Sequence, residues 1–351
     1  MAITDYVTLL TVGEVGEANA EIQDSVTSFS YELTADMVSQ ISFTVHDPDF
    51  DMYNRNYFVM GRRVVYNDVE FEIAAVALSY SGLNKCKVTA RTKAVQEMRR
   101  DQSRAPLGNV APTQAASQAA AMFGLGFFGE ASRADGNITR QEKDDSTEST
   151  YAVLTRLAKD LNFRIFEAKG VLFFASEQFI VNGQPKIELN LPSTDTNAIY
   201  VMDLNVRKST DSKKASTFDA SLIKNDNSIQ LFPGMGVLIK GISGFEMPFM
   251  IDKVAFDAKS NTPVKISGTS IYTEDEINCT KKVFSRGANN NCVKRIQQAI
   301  GATVDGQFGP QTERLVKKFQ NDKIAAGELT LPSNEPLGTV GAETWKEIVY
   351  G

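Results

Sequence analysis

Gln40-Ile41-Ser42-Phe43-Thr44-Val45-His46 alternates apolar and polar side chains without a break. A period of two puts Ile41, Phe43 and Val45 on one face of a β-strand and Ser42, Thr44 and His46 on the other. The same texture continues on the C-terminal side. Val64-Val65-Tyr66 and Val69-Glu70-Phe71 flank Asn67-Asp68, a pair suited to a tight hairpin turn. The run opened by Phe71 and Ile73 changes phase at Ala74-Ala75 and resumes through Val76 and Leu78, as a β-bulge requires. Cys86, Val88 and Ala90 supply another alternating strand. Short strands at this spacing predict a barrel or sandwich over residues 1–100.

Residues 101–185 read as a helix-containing insert. Thr113 can cap an alanine-rich helix over 114–123 that Gly124 ends, with side chains small enough to let another subunit or element approach closely. Asp145-Ser146-Thr147-Glu148 has capping-box spacing ahead of a second helix, on which Tyr151, Leu154, Leu157, Ala158 and Leu161 share a face. Asn162 closes it. Phe163-Arg164-Ile165-Phe166 and Val171-Leu172-Phe173-Phe174 then form a hairpin around Lys169-Gly170. Residues 186–273 return to β texture in Val201–Val206, Gly236–Lys240, Phe249–Ile251 and Val264–Ile266, which predicts a second barrel. Residues 274–286 are charged and aperiodic, and read as a linker.

The last segment, 287–351, changes period. Asn289 or Asn290 can cap a helix with Val293, Ile296 and Ile300 on its apolar face. After Asp305-Gly306-Gln307-Phe308-Gly309, Pro310 suits a first helical position, and Leu315, Val316 and Phe319 form the next stripe. Trp345, Ile348 and Val349 mark a third short helix. The expected fold class is multidomain and mainly β, with two barrel-like β domains, a helix-containing insert and a C-terminal three-helix bundle.

Composition removes several functions. The chain has 351 residues, 42% hydrophobic and 23% charged, and a formal net charge of -6, so nothing favours gripping a nucleic-acid backbone. No apolar stretch is long enough for a membrane helix, and the N-terminus lacks the basic region of a secretion signal. Cys86, Cys279 and Cys292 are too few for a disulfide framework or a zinc site and are read as free thiols, with the pairing of Cys279 and Cys292 left open. The single histidine, His46, has no cysteine near it in sequence and reads as structural. Zinc hydrolases and Cys–His peptidases therefore lack their catalytic groups. A muramidase needs only two carboxylates, roughly 5–9 Å apart, and so remains the alternative, although the body lacks a helical lysozyme-like pattern. Gly124-Leu125-Gly126-Phe127-Phe128-Gly129 matches the dinucleotide fingerprint but follows a helix instead of a strand. Asp144-Asp145 and Glu274-Asp275-Glu276 read as solvated surface, and the sequon Asn137-Ile138-Thr139 carries no weight without a secretion signal. No cofactor or metal is expected.

Two resemblances follow. Val293…Ile296-Gln297, Asp305-Gly306-Gln307-Phe308-Gly309-Pro310-Gln311-Thr312, Phe319-Gln320 and Gly341-Ala342-Glu343-Thr344-Trp345 resemble the peptidoglycan-binding domain of cell-wall enzymes, a three-helix module that holds wall without cleaving it. The longer connection Ala325–Gly338 departs from that pattern. Asp305 reads first as a loop cap and Trp345 as a core anchor. With Gln307, Gln311 and Arg314 beside the loop, Asp305 completes the set of candidate wall-contacting residues. The body resembles the phage tail baseplate hub, through Ser39–Val45, Val59-Met60-Gly61, Lys85–Arg91, Thr150–Leu154 and Leu157–Phe163. That resemblance implies a homotrimer whose paired barrel domains imitate a six-fold ring, with tail tube, spike and other baseplate proteins as partners. It also implies assembly in the host cytoplasm, residence in the virion tail, and a lumen that DNA crosses without specific binding, which an acidic protein suits.

Overall fold

The structure is a computed structural model that describes residues 6–13, 19–35, 38–80, 82–102, 108–131, 140–141, 148–194, 199–208, 216–243, 245, 247–271, 279, 282–333 and 335–349. The chain forms two compact units. One comprises Met1–Asn205, Phe218–Gly241 and Met250–Gly268, the other Val206–Thr217, Ile242–Phe249 and Thr269–Gly351.

The N-terminal stretch holds β1 (Leu10–Val12), α1 (Asn19–Ser25), β2 (Val26–Thr34), β3 (Gln40–His46), α2 (Asp51–Asn54), β4 (Arg63–Tyr66), β5 (Val69–Tyr80), β6 (Asn84–Thr92) and α3 (Lys93–Arg100). Ile41, Phe43 and Val45 are fully buried, as the alternation predicts. Asn67 and Asp68 turn β4 into β5 with φ of 49° and 63°, the two left-handed residues of a type I′ hairpin. The β5–β6 register slips between Ile73 and Ala75, at the expected bulge.

The middle stretch contributes β7 (Gly108–Asn109), α4 (Pro112–Met122), β8 (Gly126–Gly129), β9 (Arg140–Gln141), α5 (Thr150–Asp160), β10 (Arg164–Ala168), β11 (Val171–Ala175) and α6 (Glu177–Gly183). β10 and β11 form the expected hairpin around Lys169 and Gly170, and β8 adds to it in parallel as a third strand. The glycine fingerprint is thus itself a strand beside β11 and opens no helix. The helix expected over 114–123 starts earlier, because Pro112 supplies a preset φ and needs no N–H partner in the first turn. Thr113 does not cap it; its hydroxyl donates to the Glu130 carbonyl at 2.7 Å. Asp145, Ser146 and Thr147 lie outside the described residues, as do Asn137-Ile138-Thr139, Asp144 and Glu274-Asp275-Glu276. The cap of α5 is Ser149, whose side chain accepts the Ala152 N–H at 3.2 Å.

The third stretch adds β12 (Lys186–Asn190), β13 (Val201–Lys208), β14 (Ser216–Leu222), β15 (Gly236–Lys240), β16 (Phe249–Asp257) and β17 (Val264–Ser270). Among the described residues these strands are linked to the N-terminal ones. β16 pairs antiparallel with β2, and a single twelve-stranded sheet results, in the order β1-β4-β5-β6-β3-β2-β16-β17-β14-β13 with β12 attached through β15 to β16. The two strand-rich stretches expected as barrel-like domains are thus hydrogen-bonded to each other, for a physical reason. β3 occupies only one side of β2, so the other side carries unpaired N–H and C=O groups that β16 satisfies.

The alanine helix meets one of its two expected kinds of neighbour. Ala115, Ala116, Ala119 and Ala120 are fully buried with Val153 and Leu154 of α5 and Leu172 and Phe174 of β11. Their small size admits elements of the same chain. Replacing Ala119 by Leu should overfill this contact and cost roughly 1–3 kcal/mol, read as a lower urea midpoint with far-UV circular dichroism unchanged; an unchanged midpoint would place the helix elsewhere.

Candidate functional site

The sequence-derived candidates lie in the second unit, on α7 (Asn291–Ile300), α8 (Pro310–Ala325), α9 (Ala342–Val349) and their connections. Asn290 caps α7, its side chain accepting the Val293 N–H at 3.1 Å, and Gly301 ends it in the left-handed region. Val293, Ile296, Val316, Trp345 and Val349 are buried. Trp345 is fully enclosed, with the Phe284 ring centroid 5.9 Å away, and is a core anchor.

Two residues of the segment read as a linker, 274–286, belong to this packing. Phe284 exchanges backbone hydrogen bonds with Val340 at 2.9 and 2.8 Å. Cys279 is joined to Cys292 in a disulfide, with Cα atoms 5.7 Å apart. The free-thiol expectation therefore fails for these two and holds for Cys86, which is buried; its thiol is pushed up to about 12, chiefly by burial and then by Asp47. A spacing of 13 residues carries no sequence sign of pairing; only the helix that presents Cys292 brings them together.

The loop before α8 is organised by one buried amide. Gln297 Nε2 donates to Asp305 Oδ1 at 2.7 Å, to the Gln307 carbonyl at 2.9 Å and to Thr312 Oγ1 at 3.2 Å. Its Oε1 accepts the N–H groups of Asp305 at 3.1 Å and Gly306 at 2.8 Å. Asp305 Oδ1 also accepts the Gln307 N–H at 2.8 Å, and these donors, the Gln297 amide first, hold the Asp305 carboxyl below the usual carboxylate range. Gly306 turns with φ of 81°, and a Cβ there would stand 3.0 Å from Lys294 Cε.

A second loop, before α9, is built the same way. Gln320 Nε2 donates to the Thr339 carbonyl at 2.7 Å and to Thr344 Oγ1 at 2.9 Å, and its Oε1 accepts the Gly338 N–H at 2.7 Å. Gly338 has φ of 89°, and its Cβ position is occupied by Lys317. Gly306-Gln307-Phe308-Gly309-Pro310-Gln311-Thr312 and Gly338-Thr339-Val340-Gly341-Ala342-Glu343-Thr344 are thus one motif used twice, Gly-x-apolar-Gly-x-x-Thr, each clasped by a glutamine on the preceding helix. The long connection Ala325–Gly338 carries Glu335, which is buried; its Oε1 accepts the N–H groups of Gly341 at 2.8 Å and Thr344 at 3.1 Å, fixing the start of α9.

Of the four sequence-derived residues, Asp305 is spent on its own loop. The side chains of Gln307, Gln311 and Arg314 are exposed, Gln307 on the loop and the other two three residues apart on the first turns of α8, where that spacing shares a face. Beside them Glu313 is held below the usual range by Lys317, which donates to it at 2.8 Å, with Arg286 adding to the effect. The stripe on α8 is Thr312, Val316 and Gln320, not Leu315, Val316 and Phe319; the two aromatic and aliphatic candidates are half-buried. Sequence reasoning missed Gln320 and Glu335 as organisers, and the Gly-x-apolar-Gly-x-x-Thr repeat was the signal for the first. Replacing Gln297 by Leu strands the buried Gly306 N–H and the Thr312 hydroxyl and should cost roughly 2–4 kcal/mol. Thermal unfolding of the full chain checks this, and a change within a few tenths of a degree would remove Gln297 from the role.

Compared with known proteins, the sequence matches no protein-family model and no curated protein. The fold does have relatives among solved structures. A tail protein from Neisseria meningitidis MC58 superposes with a TM-score of 0.50 at 12% identity, over 70% of this chain and 92% of that one. The 43 kDa tail protein of prophage MuSo2 from Shewanella oneidensis does so with a TM-score of 0.52 at 12% identity, over 74% of this chain and 96% of that one. What this chain shares with these two tail proteins is its fold, along nearly the whole length of each.

Proposed function

We propose that the chain is a structural component of a phage tail baseplate, a hub between tail tube and central spike, and that its C-terminal segment holds host peptidoglycan during infection. The observation that carries the tail reading is the fold shared along 92% and 96% of two tail proteins. Domains over 1–100, 101–185 and 186–273 make up the hub, and 287–351 is the wall-binding module. Three copies, each presenting two strand-rich halves, match a six-fold tube with one repeated interface. A net charge of -6 leaves the lumen without the clustered cations that would retain DNA. The site of action is the virion tail, after assembly in the host cytoplasm.

The wall-binding reading rests on the C-terminal resemblance and on the exposed trio Gln307, Gln311 and Arg314 around a loop that Gln297 keeps rigid. No enzymatic role is assigned. His46 is a strand residue, half-buried, whose Nδ1–H donates to the Asn84 carbonyl at 3.1 Å.

Full-length protein should sediment with insoluble peptidoglycan, and the combined change Gln307→Ala, Gln311→Ala, Arg314→Ala should weaken retention by roughly tenfold. A well-folded protein that stays in the supernatant would reject the wall reading and leave the tail reading standing. The tail reading has its own test in light scattering, alone and mixed with neighbouring tail proteins. A trimer is expected in at least one condition; a dimer, or a monomer in both, would defeat the hub.

A further inference from the structure

The first unit carries a partly open cavity of about 360 Å³ that the tail reading does not use. Its walls come from the β4–β5 turn, the start of α3, the end of α4 and the β10–β11 hairpin, and include Asp68, Glu70, Glu97, Glu167, Phe123 and Leu125. Lys93 also lines it, but it is engaged by Glu70 at 3.5 Å, so three further carboxyl groups outnumber it.

Glu167 sets this cavity apart from an ordinary acidic surface. It is 6% exposed, and its Oε1 accepts the Gly170 N–H at 2.8 Å. Its Oε2 is buried and has no hydrogen-bond partner among the described residues. Thr92 lines the same cavity, is 3% exposed, and its Oγ1 is in the same condition. Two polar oxygens on separate elements are therefore removed from water without a formed hydrogen bond, with only the neighbouring Thr92 hydroxyl to favour this side of the carboxylate, although buried polar groups are nearly always satisfied.

We propose that the cavity is a binding site for an alkylguanidinium cation, received either as a free small molecule or as an arginine side chain of a second copy of this chain. A planar fork of N–H donors reaches two separated acceptors at once, and its flat face suits the Phe123 ring. A volume of this order accepts a small ligand. A metal ion fits less well, because the described residues contain no group of three carboxylate, histidine or cysteine side chains placed to hold one.

Burial raises the Glu167 pKa, and outweighs the Gly170 N–H and the neighbouring Thr92 hydroxyl, which both favour the carboxylate. The other titratable groups around it are Tyr31 of β2, Asp68 and Glu70 on the β4–β5 side, Lys93 and Glu97 of α3, and Lys169 in its own hairpin turn. An arriving guanidinium replaces the proton on Glu167, and that proton goes to solvent. Binding should then tighten as pH rises through the Glu167 pKa.

Calorimetric titration of the full chain with methylguanidinium chloride, against sodium chloride at equal ionic strength, tests the site. One saturable equivalent with proton release is expected, stronger above the ordinary glutamate range than within it. Glu167→Gln, which keeps the shape and removes the charge, should weaken uptake by roughly tenfold or more and abolish its pH dependence. Thr92→Val should weaken uptake with the pH dependence intact, and it serves if the first variant does not fold. Absence of saturable uptake, pH-independent uptake, or equal uptake by the Glu167 variant would each overturn the proposal in favour of a water-filled void. Sedimentation velocity with and without methylguanidinium separates the sources: dissociation of an oligomer identifies a second copy, and an unchanged coefficient identifies a free small cation.

Discussion

Antiparallel pairing of β2 with β16 is the constraint on which the body depends. Tyr31 stands opposite Phe256 in that register, with Leu33 opposite Val254. The Tyr31 ring lies 5.0 Å from Phe256 and 5.1 Å from Tyr66, and Tyr66 lies 4.6 Å from Phe29. Aromatic pairs at these separations stabilise beyond the area they bury. On the opposite side of the same seam Lys253 meets Glu32 at 2.9 Å, an exposed pair that sets register more than it stabilises. If the seam is opened, two long strand edges face water and neither strand-rich half keeps its core. Its two strands come from opposite ends of the body in sequence, so the last β segment must be present before the first is secured.

That dependence explains which parts of the body could be read from sequence. Alternation in Gln40–His46, the left-handed pair Asn67-Asp68 and the slip at Ala74 are local, and each is decided within a few residues. The face of α5 is local as well. The partner of β2 is not, because an alternating strand reports which face is buried and says nothing about which strand lies beside it. For the same reason β8 escaped notice: Gly126-Phe127-Phe128-Gly129 becomes a strand only because β11 offers an edge. Even the cap of α5 shows the limit of local pattern. Ser149, not the capping-box spacing upstream, holds the helix start.

In the C-terminal unit the legible part was the loop with its glycines and proline, and the hidden part was what holds the loop. Gln297 and Gln320 sit on helix faces that a hydrophobicity pattern assigns to apolar residues, yet both are buried. Each satisfies both ends of its amide within one loop, which removes the desolvation penalty that normally keeps such side chains at the surface. Thr312 and Thr344 complete the same arrangement from the following helix. Polarity at a buried helical position is therefore informative when a Gly-x-apolar-Gly-x-x-Thr motif follows, and both copies of that motif obey the rule. The extra length before α9 follows the same logic, since it delivers Glu335 to backbone N–H groups that the shorter first loop leaves to other partners.

The two loop amides and the Glu167 cluster thus treat buried polarity in opposite ways. Around Gln297 and Gln320 each amide nitrogen and oxygen is answered, so those networks are complete without any ligand and serve to fix loop shape. At Glu167 and Thr92 the accounting stays open: a carboxylate oxygen and a hydroxyl are enclosed, with Gly170 answering only the other carboxylate oxygen. A fold can retain such a pair against its desolvation cost where something else completes it. The difference lies in the partners and not in burial, because Gln297 and Glu167 are both nearly inaccessible. By this criterion loop-forming polarity in the C-terminal unit is structural, and its ligand-facing groups must be sought among exposed side chains. In the body the criterion points inward, to Glu167, whose second carboxyl oxygen has no hydrogen-bond partner among the described residues.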